Sequence, residues 1–148
     1  MGQLEQNFEN TLFKLIPQTK NLGIKITRIE DHQITVHGSY ALNKNHLDIV
    51  FGGSIAGISI TTAWSLMQSK IEQAGLKGNL VIKSQEIDYL LPVKTDFECV
   101  ASFQALDDWE SFKKTYQEKG RAKVTVTAQI VSESKTTSKF QGVFVLYQ

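Results

Sequence analysis

The chain has 148 residues, with 16 basic and 15 acidic side chains and a formal net charge of +1. Apolar residues make up 41% of it and charged residues 21%, which is the composition of an ordinary globular domain. This length favours one domain over residues 1–148. The even charge balance argues against a nucleic-acid-binding protein and against a polybasic membrane-surface protein, because both need a surplus of Lys and Arg on one face.

The cysteine and histidine content limits the possible chemistry. Cys99 is the only cysteine, so the chain cannot form an internal disulfide. His32 and His37 have no cysteine or carboxylate at ligand spacing, and we therefore expect no metal site. We also expect no cofactor. The first residues carry charges and no apolar signal core, so we expect a cytoplasmic protein.

The first part of the chain reads as a helix followed by a hairpin. Apolar residues recur every three or four positions over residues 4–16, which predicts an amphipathic helix that Pro17 ends. Apolar and polar residues then alternate over residues 22–29 and again over residues 34–38, which predicts two paired strands. Residues 40–50 are polar, and we expect a loop there.

Residues 49–69 contain no charged side chain, and this stretch is long enough to span a bilayer. Nearly half of its residues are small or polar, which argues against membrane insertion. Its apolar residues lie all round the helix axis, so the pattern predicts a helix buried on all sides within a protein core. Gly75 and Gly78 mark the C-terminal end of this helix.

Four further segments have strand patterns. They are residues 80–93, 97–105, 122–130 and 140–147. The last is apolar on both faces, as in a central strand. Between the second and third, Trp109, Phe112 and Tyr116 recur at helical spacing, which predicts a short surface helix.

This order of elements favours the α+β class, with an antiparallel sheet of about six strands wrapped round the long buried helix. A half-wrapped sheet leaves an unpaired edge, and pairing with a second copy is a usual way to cover it. We therefore expect a homodimer that joins through residues 80–93, with a homotetramer as a further step.

Two segments carry a family resemblance. Residues 43–54 read Asn-Lys-Asn-His-Leu-Asp-Ile-Val-Phe-Gly-Gly-Ser, and residues 87–93 read Ile-Asp-Tyr-Leu-Leu-Pro-Val. With the layout above, they resemble the hot-dog-fold thioesterases, most closely the thioesterase family that also occurs as the C-terminal domain of a fused acetyltransferase. The resemblance implies a hot-dog fold and hydrolysis of an acyl thioester of coenzyme A or acyl carrier protein.

The resemblance also implies where the site lies. The thioester oxygen would be held by backbone amides where Gly52 and Gly53 enter the long helix, since helix N-termini present unpaired N–H groups and partial positive charge. Asn45 matches an asparagine that orients the thioester or the water in related enzymes. The substrate-binding candidates are Asn43, Phe51, Ser54 and Tyr89.

The sequence departs from the family pattern at the acid–base position. Many hot-dog thioesterases have a histidine where this chain has Phe51, and a helix carboxylate where it has Ile60. Asp48, in the loop before the helix, and His46 are then the candidates for activating water. Asp48 stands where the narrower family pattern has glycine, and it also suits a helix cap.

Two other functions remain possible interpretations of the sequence. An acyl-thioester dehydratase of the same fold would pair His46 with Glu86 or Asp88 of a second copy. A non-catalytic acyl-CoA- or lipid-binding protein would suit the uncharged helix. The candidates for binding coenzyme A phosphates are Lys83, Lys94, Arg121 and Lys123, which also read as a solvated strand face.

Overall fold

The computed structural model describes residues 2–148. Its helices are α1 (Gln3–Leu15), α2 (Tyr40–Asn43), α3 (Gly52–Gln73) and α4 (Asp108–Lys119), with a 3-10 turn at Pro17–Leu22. Its strands are β1 (Ile24–Ile29), β2 (Gln33–Gly38), β3 (Asn79–Tyr89), β4 (Phe97–Phe103), β5 (Arg121–Ser132) and β6 (Lys135–Tyr147).

The strands form one antiparallel six-stranded sheet in the order β1-β2-β4-β5-β6-β3. The predicted α+β architecture, with six strands and one long helix, is confirmed. β1 and β3 are the two edges, and β6 lies between β5 and β3, as its apolar character on both faces predicts. The sheet is open, because its two edge strands do not pair with each other.

Helix α3 packs against five of the six strands, β2 to β6. Ile58, Leu66 and Met67 are fully buried in the core that it shares with the strands. The hydroxyls of Thr61 and Thr62 donate to the carbonyls of the preceding turn, each at 2.7 Å, which satisfies these polar groups inside the core. Among the helices of residues 2–148, none combines the length and hydropathy that crossing a bilayer requires.

The burial of α3 is less complete than the sequence pattern predicts. A strip along it is only half-buried, because the open sheet does not surround the helix; it consists of Ala56, Gly57, Ile60, Trp64 and Gln68. The expectation of burial on all sides is therefore wrong for this strip. The helix also continues to Gln73 and so includes the buried Lys70.

Two other segments differ from the structure predicted from the sequence. Within the expected loop, residues 40–43 form the short helix α2, because the Ser39 hydroxyl accepts the Leu42 N–H at 3.3 Å and caps it. The strand predicted over residues 80–93 ends at Tyr89. Helix α4 forms as predicted, and its three aromatic residues are buried in the main core.

Candidate functional site

A groove of about 320 Å³ opens at the N-terminus of α3. Its walls come from the loop before α3, the first turn of α3, and the end of β3 with the residues that follow. The lining residues are Asn45, Ile49, Val50, Gly52, Ile55, Tyr89, Leu90, Leu91, Pro92 and Val93. The fold therefore brings the two motif segments, residues 43–54 and 87–93, together around one cavity.

The first turn of α3 leaves two backbone donors free. The N–H groups of Ser54 and Ile55 both donate to the Phe51 carbonyl, at 2.9 and 3.1 Å. The N–H groups of Gly52 and Gly53 have no acceptor within residues 2–148. Phe51, the N-cap residue, has no side-chain group that could accept them. Two free amides at the positive end of a 22-residue helix favour an anionic or strongly polarised oxygen.

The two glycines have different neighbours. A methyl group on Gly52 would lie 3.6 Å from the Tyr89 ring, which is an ordinary contact, so this glycine borders the groove without being sterically required. A methyl group on Gly53 would lie 2.4 Å from the Phe51 ring. The Phe51 ring therefore lies directly over Gly53, and it is itself half-exposed.

Asn45 has its amide oxygen occupied and its amide nitrogen free. The oxygen accepts the N–H groups of Leu47, at 2.9 Å, and Ile49, at 3.4 Å, and so closes the loop as an Asx turn. The nitrogen has no partner in the described chain, and Asn45 lines the groove. The structural role and the predicted substrate-binding role of this residue use opposite ends of its amide, so they are compatible.

Asp48 and His46 lie outside the residues that line the groove. The Asp48 carboxylate is 3.3 Å from the Lys44 ammonium, and its carbonyl accepts the Tyr40 hydroxyl at 2.7 Å. Asp48 adopts φ of +59°, a conformation that glycine adopts without cost, which accounts for the glycine of the family pattern at this position. His46 is exposed.

Asn43 and Ser54 also lie apart from the groove. Asn43 is buried, and its amide donates to the carbonyls of Leu22 and Ser39, at 2.7 and 2.9 Å, so it ties α2 to the 3-10 turn. Ser54 is half-buried on the first turn of α3. Of the site residues that the sequence indicated, the groove thus gathers Asn45, Gly52 and Tyr89, with Phe51 beside them over Gly53.

Sequence reasoning missed most of the apolar wall. The sequence pattern predicts strand up to Val93, whereas β3 ends at Tyr89 and the groove is lined by Leu90, Leu91, Pro92 and Val93. Pro92 in the run after Tyr89 was the available signal, because proline lacks the donor that a paired strand uses. Among the lining residues only Tyr89 carries an ionisable group, so the groove is mainly an aliphatic environment.

An antiparallel sheet wrapped round one long helix, with a groove at the N-terminus of that helix, is the hot-dog fold. The chain matches, over residues 5–148, the model of the family described as "Putative thioesterase (yiiD_Cterm)". It therefore belongs to this family, and the resemblance inferred from its motifs is confirmed.

Solved structures agree on the fold. A protein from Shewanella oneidensis described as a "putative thioesterase" is 23% identical, with a TM-score of 0.87 and coverage of 100% of both chains. A Chlorobaculum tepidum protein of unknown function is 18% identical over 99% of this chain and 95% of its own, with a TM-score of 0.89. Thioesterase superfamily member 2 from Mus musculus is 13% identical over 97% of each chain, with a TM-score of 0.69. No curated protein matches the chain.

Proposed function

We propose that this protein hydrolyses an acyl thioester of coenzyme A or acyl carrier protein in the groove at the N-terminus of α3. The single observation that carries this proposal is the pair of unpaired amides, Gly52 and Gly53, beside an aliphatic groove. Membership of a thioesterase family gives the reaction class, and the acyl carrier is our inference.

The thioester carbonyl oxygen accepts the N–H groups of Gly52 and Gly53, where the partial positive charge of the helix stabilises the negative charge that develops during attack. A bound acyl chain covers the apolar walls and strengthens this interaction, because it displaces water from the groove. The free amide nitrogen of Asn45 donates to the carbonyl or to the attacking water and so fixes its direction. Tyr89 and Phe51 flank the substrate.

Water attacks the carbonyl carbon and loses a proton, the carbon–sulfur bond breaks, and the departing thiolate takes up a proton. We assign the proton acceptor to Asp48 or His46 because the lining of the groove contains neither a carboxylate nor an imidazole. Both residues belong to the short loop whose two ends, Asn45 and Ile49, line the groove. His46 directly follows Asn45 and Asp48 directly precedes Ile49, so each candidate is next to a lining residue in the chain.

The variants Asn45→Asp and Asn45→Ala test the proposal. Asn45→Asp keeps an oxygen for the Leu47 and Ile49 N–H groups, so the loop stays closed, but it removes the amide donor and adds negative charge beside the oxyanion. We expect kcat with acyl-CoA substrates to fall by about 100-fold with an unchanged Tm. Asn45→Ala also opens the loop and lowers Tm. Asn21→Asp, at an exposed position outside the groove, is the control.

The variants Asp48→Asn and His46→Ala separate the two candidate bases. The variant that removes the base lowers kcat and abolishes the corresponding limb of its pH profile, whereas the other variant keeps both. Unchanged kcat in both variants and in Asn45→Asp would contradict the proposed machinery.

We further propose that two copies pair through β3 into a homodimer, which pairs again into a tetramer. β3 is an edge strand, and an unpaired edge of this length invites pairing with another strand. In a two-fold pair, Gln85 near the middle of β3 lies close to its own copy, so Gln85→Lys places like charges together and lowers the sedimentation mass to that of a monomer. Gln141→Lys, exposed on the inner neighbour β6, is the matched control and leaves the mass unchanged.

A second candidate function is acyl-CoA or lipid binding without turnover. The observation that favours it is that Tyr89 is the only ionisable residue lining the groove. Saturable binding of acyl-CoA without release of free thiol, in wild-type protein across a range of chain lengths, would select this function over hydrolysis.

A further inference from the structure

Three cationic side chains meet in a second groove, on a different part of the molecule. This groove has a volume of about 350 Å³. Its lining residues are Lys83, Thr115, Arg121, Ala122, Lys123 and Val145. None of them lines the candidate site at the N-terminus of α3.

The register of the sheet explains this convergence. Lys123 on β5 lies opposite Val145 on β6, and Val145 lies opposite Val81 on β3. Lys83 occupies the irregularity in β3 between Ile82 and Ser84, which places it beside the same stretch of β6. Arg121 precedes Lys123 by two residues and so shares its face of the sheet. Helix α4 adds the Thr115 hydroxyl.

The positive charge of this groove is uncompensated. Lys83, Arg121 and Lys123 form no ion pair within the described residues, and no acidic residue lines the groove. The net charge of the whole chain is only +1, so a general excess of basic residues does not explain the cluster. Three like charges around one groove repel each other, although β6 separates Lys83 on β3 from the two cations on β5. A multiply charged anion relieves this repulsion through charge-assisted hydrogen bonds.

A neighbouring groove of about 420 Å³ extends the basic one and shares Thr115 and Lys123 with it. It adds the Ser111 hydroxyl, the Thr125 hydroxyl and a half-buried apolar surface at Val124 and Val143. Its one acidic residue, Asp108, accepts the Ala105 N–H at 2.9 Å. The combined surface offers cations for phosphates, hydroxyls for a sugar and apolar side chains for a base, so it suits a ligand larger than inorganic phosphate.

We propose that Lys83, Arg121 and Lys123 form a site for the phosphate groups of an adenine nucleotide. The ligand is either the nucleotide portion of coenzyme A or a free nucleotide, since both carry these phosphate groups. Binding of coenzyme A rests on the proposed function, whereas binding of a free nucleotide does not. Lys83 and Tyr89 are six positions apart on β3, about 20 Å along the strand, and antiparallel pairing of two β3 strands brings the Lys83 end of one copy towards the Tyr89 end of the other.

Binding of adenosine 3′,5′-bisphosphate, measured by calorimetry at low ionic strength, tests the site directly. We expect saturable binding to wild-type protein, a Kd at least about tenfold higher for the triple variant Lys83→Gln/Arg121→Gln/Lys123→Gln, and weaker binding at about 0.5 M NaCl. The triple variant Lys14→Gln/Lys20→Gln/Lys25→Gln removes as much charge from exposed positions elsewhere and leaves Kd unchanged. No binding to wild-type protein, or equal loss in both triple variants, would overturn the proposal.

Steady-state kinetics distinguishes coenzyme A from a free nucleotide as the ligand of this site. If the site holds coenzyme A, the groove variant raises KM for an acyl-CoA about tenfold with kcat unchanged, and leaves KM for the same acyl group on N-acetylcysteamine unchanged, since that carrier has no phosphate. If the site holds a free nucleotide, both KM values stay the same while binding of the bisphosphate is lost. A protein that binds the bisphosphate but hydrolyses nothing refutes the proposed function and leaves this site intact. The single variant Lys123→Gln repeats each measurement with a minimal change to the fold.

Discussion

The hydroxyl of Tyr89 donates a hydrogen bond to the carbonyl of Gly52 at 3.1 Å. This contact joins the last residue of β3 to the first residue of α3, and both residues line the candidate groove. Tyr89 is about half-exposed, so packing alone does not hold its ring in place. The hydrogen bond therefore fixes the distance between the wall formed by β3 and the free amides of the helix.

Tyr89→Phe tests this relationship, because it keeps the ring beside Gly52 and removes only the hydroxyl. A neutral hydrogen bond contributes about 1 kcal/mol, so we expect kcat/KM for thioester hydrolysis to fall about fivefold. Tm should change little, since the Gly52 carbonyl keeps its helical partner. Tyr147→Phe, at the far end of the sheet, is the control. Equal kcat/KM in wild type and Tyr89→Phe would show that the hydroxyl does not position the site.

Gly52→Ala and Gly53→Ala separate the two amides. In Gly52→Ala the added methyl group makes only an ordinary contact with Tyr89 and projects beside the groove. Alanine is also a better helix former than glycine. We expect Gly52→Ala to keep or raise Tm while lowering kcat about tenfold, because the methyl group restricts access to the free N–H.

In Gly53→Ala the new methyl group clashes with the Phe51 ring, which must move, so we expect a lower Tm. The double variant Gly53→Ala/Phe51→Ala removes that clash. A higher Tm in the double variant than in Gly53→Ala would show that the clash with the ring causes the loss. Thermal melts and initial rates on one acyl-CoA check both glycines. A Gly52→Ala protein with full activity would contradict an oxyanion role for this amide.

The meeting of residues 43–54 and 87–93 could be predicted only through the family resemblance. Periodicity gives the helix and the strands, but it does not say which loops lie beside the helix N-terminus. That neighbourhood depends on the sheet order, in which β3 pairs with β6 rather than with β2. The choice of strand partners is a non-local property, decided by packing of the whole core against α3.

The hydrogen-bond partners of individual side chains in residues 43–48 could not be predicted from the sequence, for a different reason. Asn43, Asn45 and Asp48 all bind polar groups close to them in the chain, and several such pairings are possible for each residue type. The structure uses the Asn43 amide for main-chain carbonyls, whereas Asn45 keeps its amide nitrogen free. One residue is thereby withdrawn from the groove and the other is made available, although both are asparagines two positions apart.

Cys99 provides a prediction on reactivity. Its thiol is fully buried on β4, and burial raises its pKa to about 11 against the opposing effect of the Thr62 and Ser59 hydroxyls. Thiolate is the reactive form, so the native protein should not react with a thiol reagent near neutral pH, whereas the unfolded protein should react fully. Glu98→Cys, exposed on the same strand, adds a thiol that reacts at once. Rapid labelling of native wild-type protein would contradict the buried position.

Lys70 and Asp31 form an ion pair far along α3 from the groove. The Lys70 ammonium is buried, lies 2.7 Å from the Asp31 carboxylate, and stands 5.6 Å from the centre of the Trp109 ring. The hydrogen bond from Lys70 and then its charge lower the pKa of Asp31, and His32 adds a smaller effect in the same direction. The partners are unequal, because Asp31 is largely exposed while Lys70 depends on it for compensation.

Asp31→Asn should therefore lower Tm near neutral pH, since it leaves the buried Lys70 ammonium without an opposite charge. The folded-state pKa of Asp31 is lower than its unfolded-state value of about 3.9, so its contribution to stability is present above about pH 4 and is lost as the pH falls through the folded-state pKa. The difference in Tm between wild type and Asp31→Asn should shrink over that acidic range, whereas Glu133→Gln, at an exposed position, shows no such difference. Thermal melts across the pH series check both points. A difference that persists unchanged below the folded-state pKa would mean that packing of residue 31, and not its charge, stabilises the end of α3.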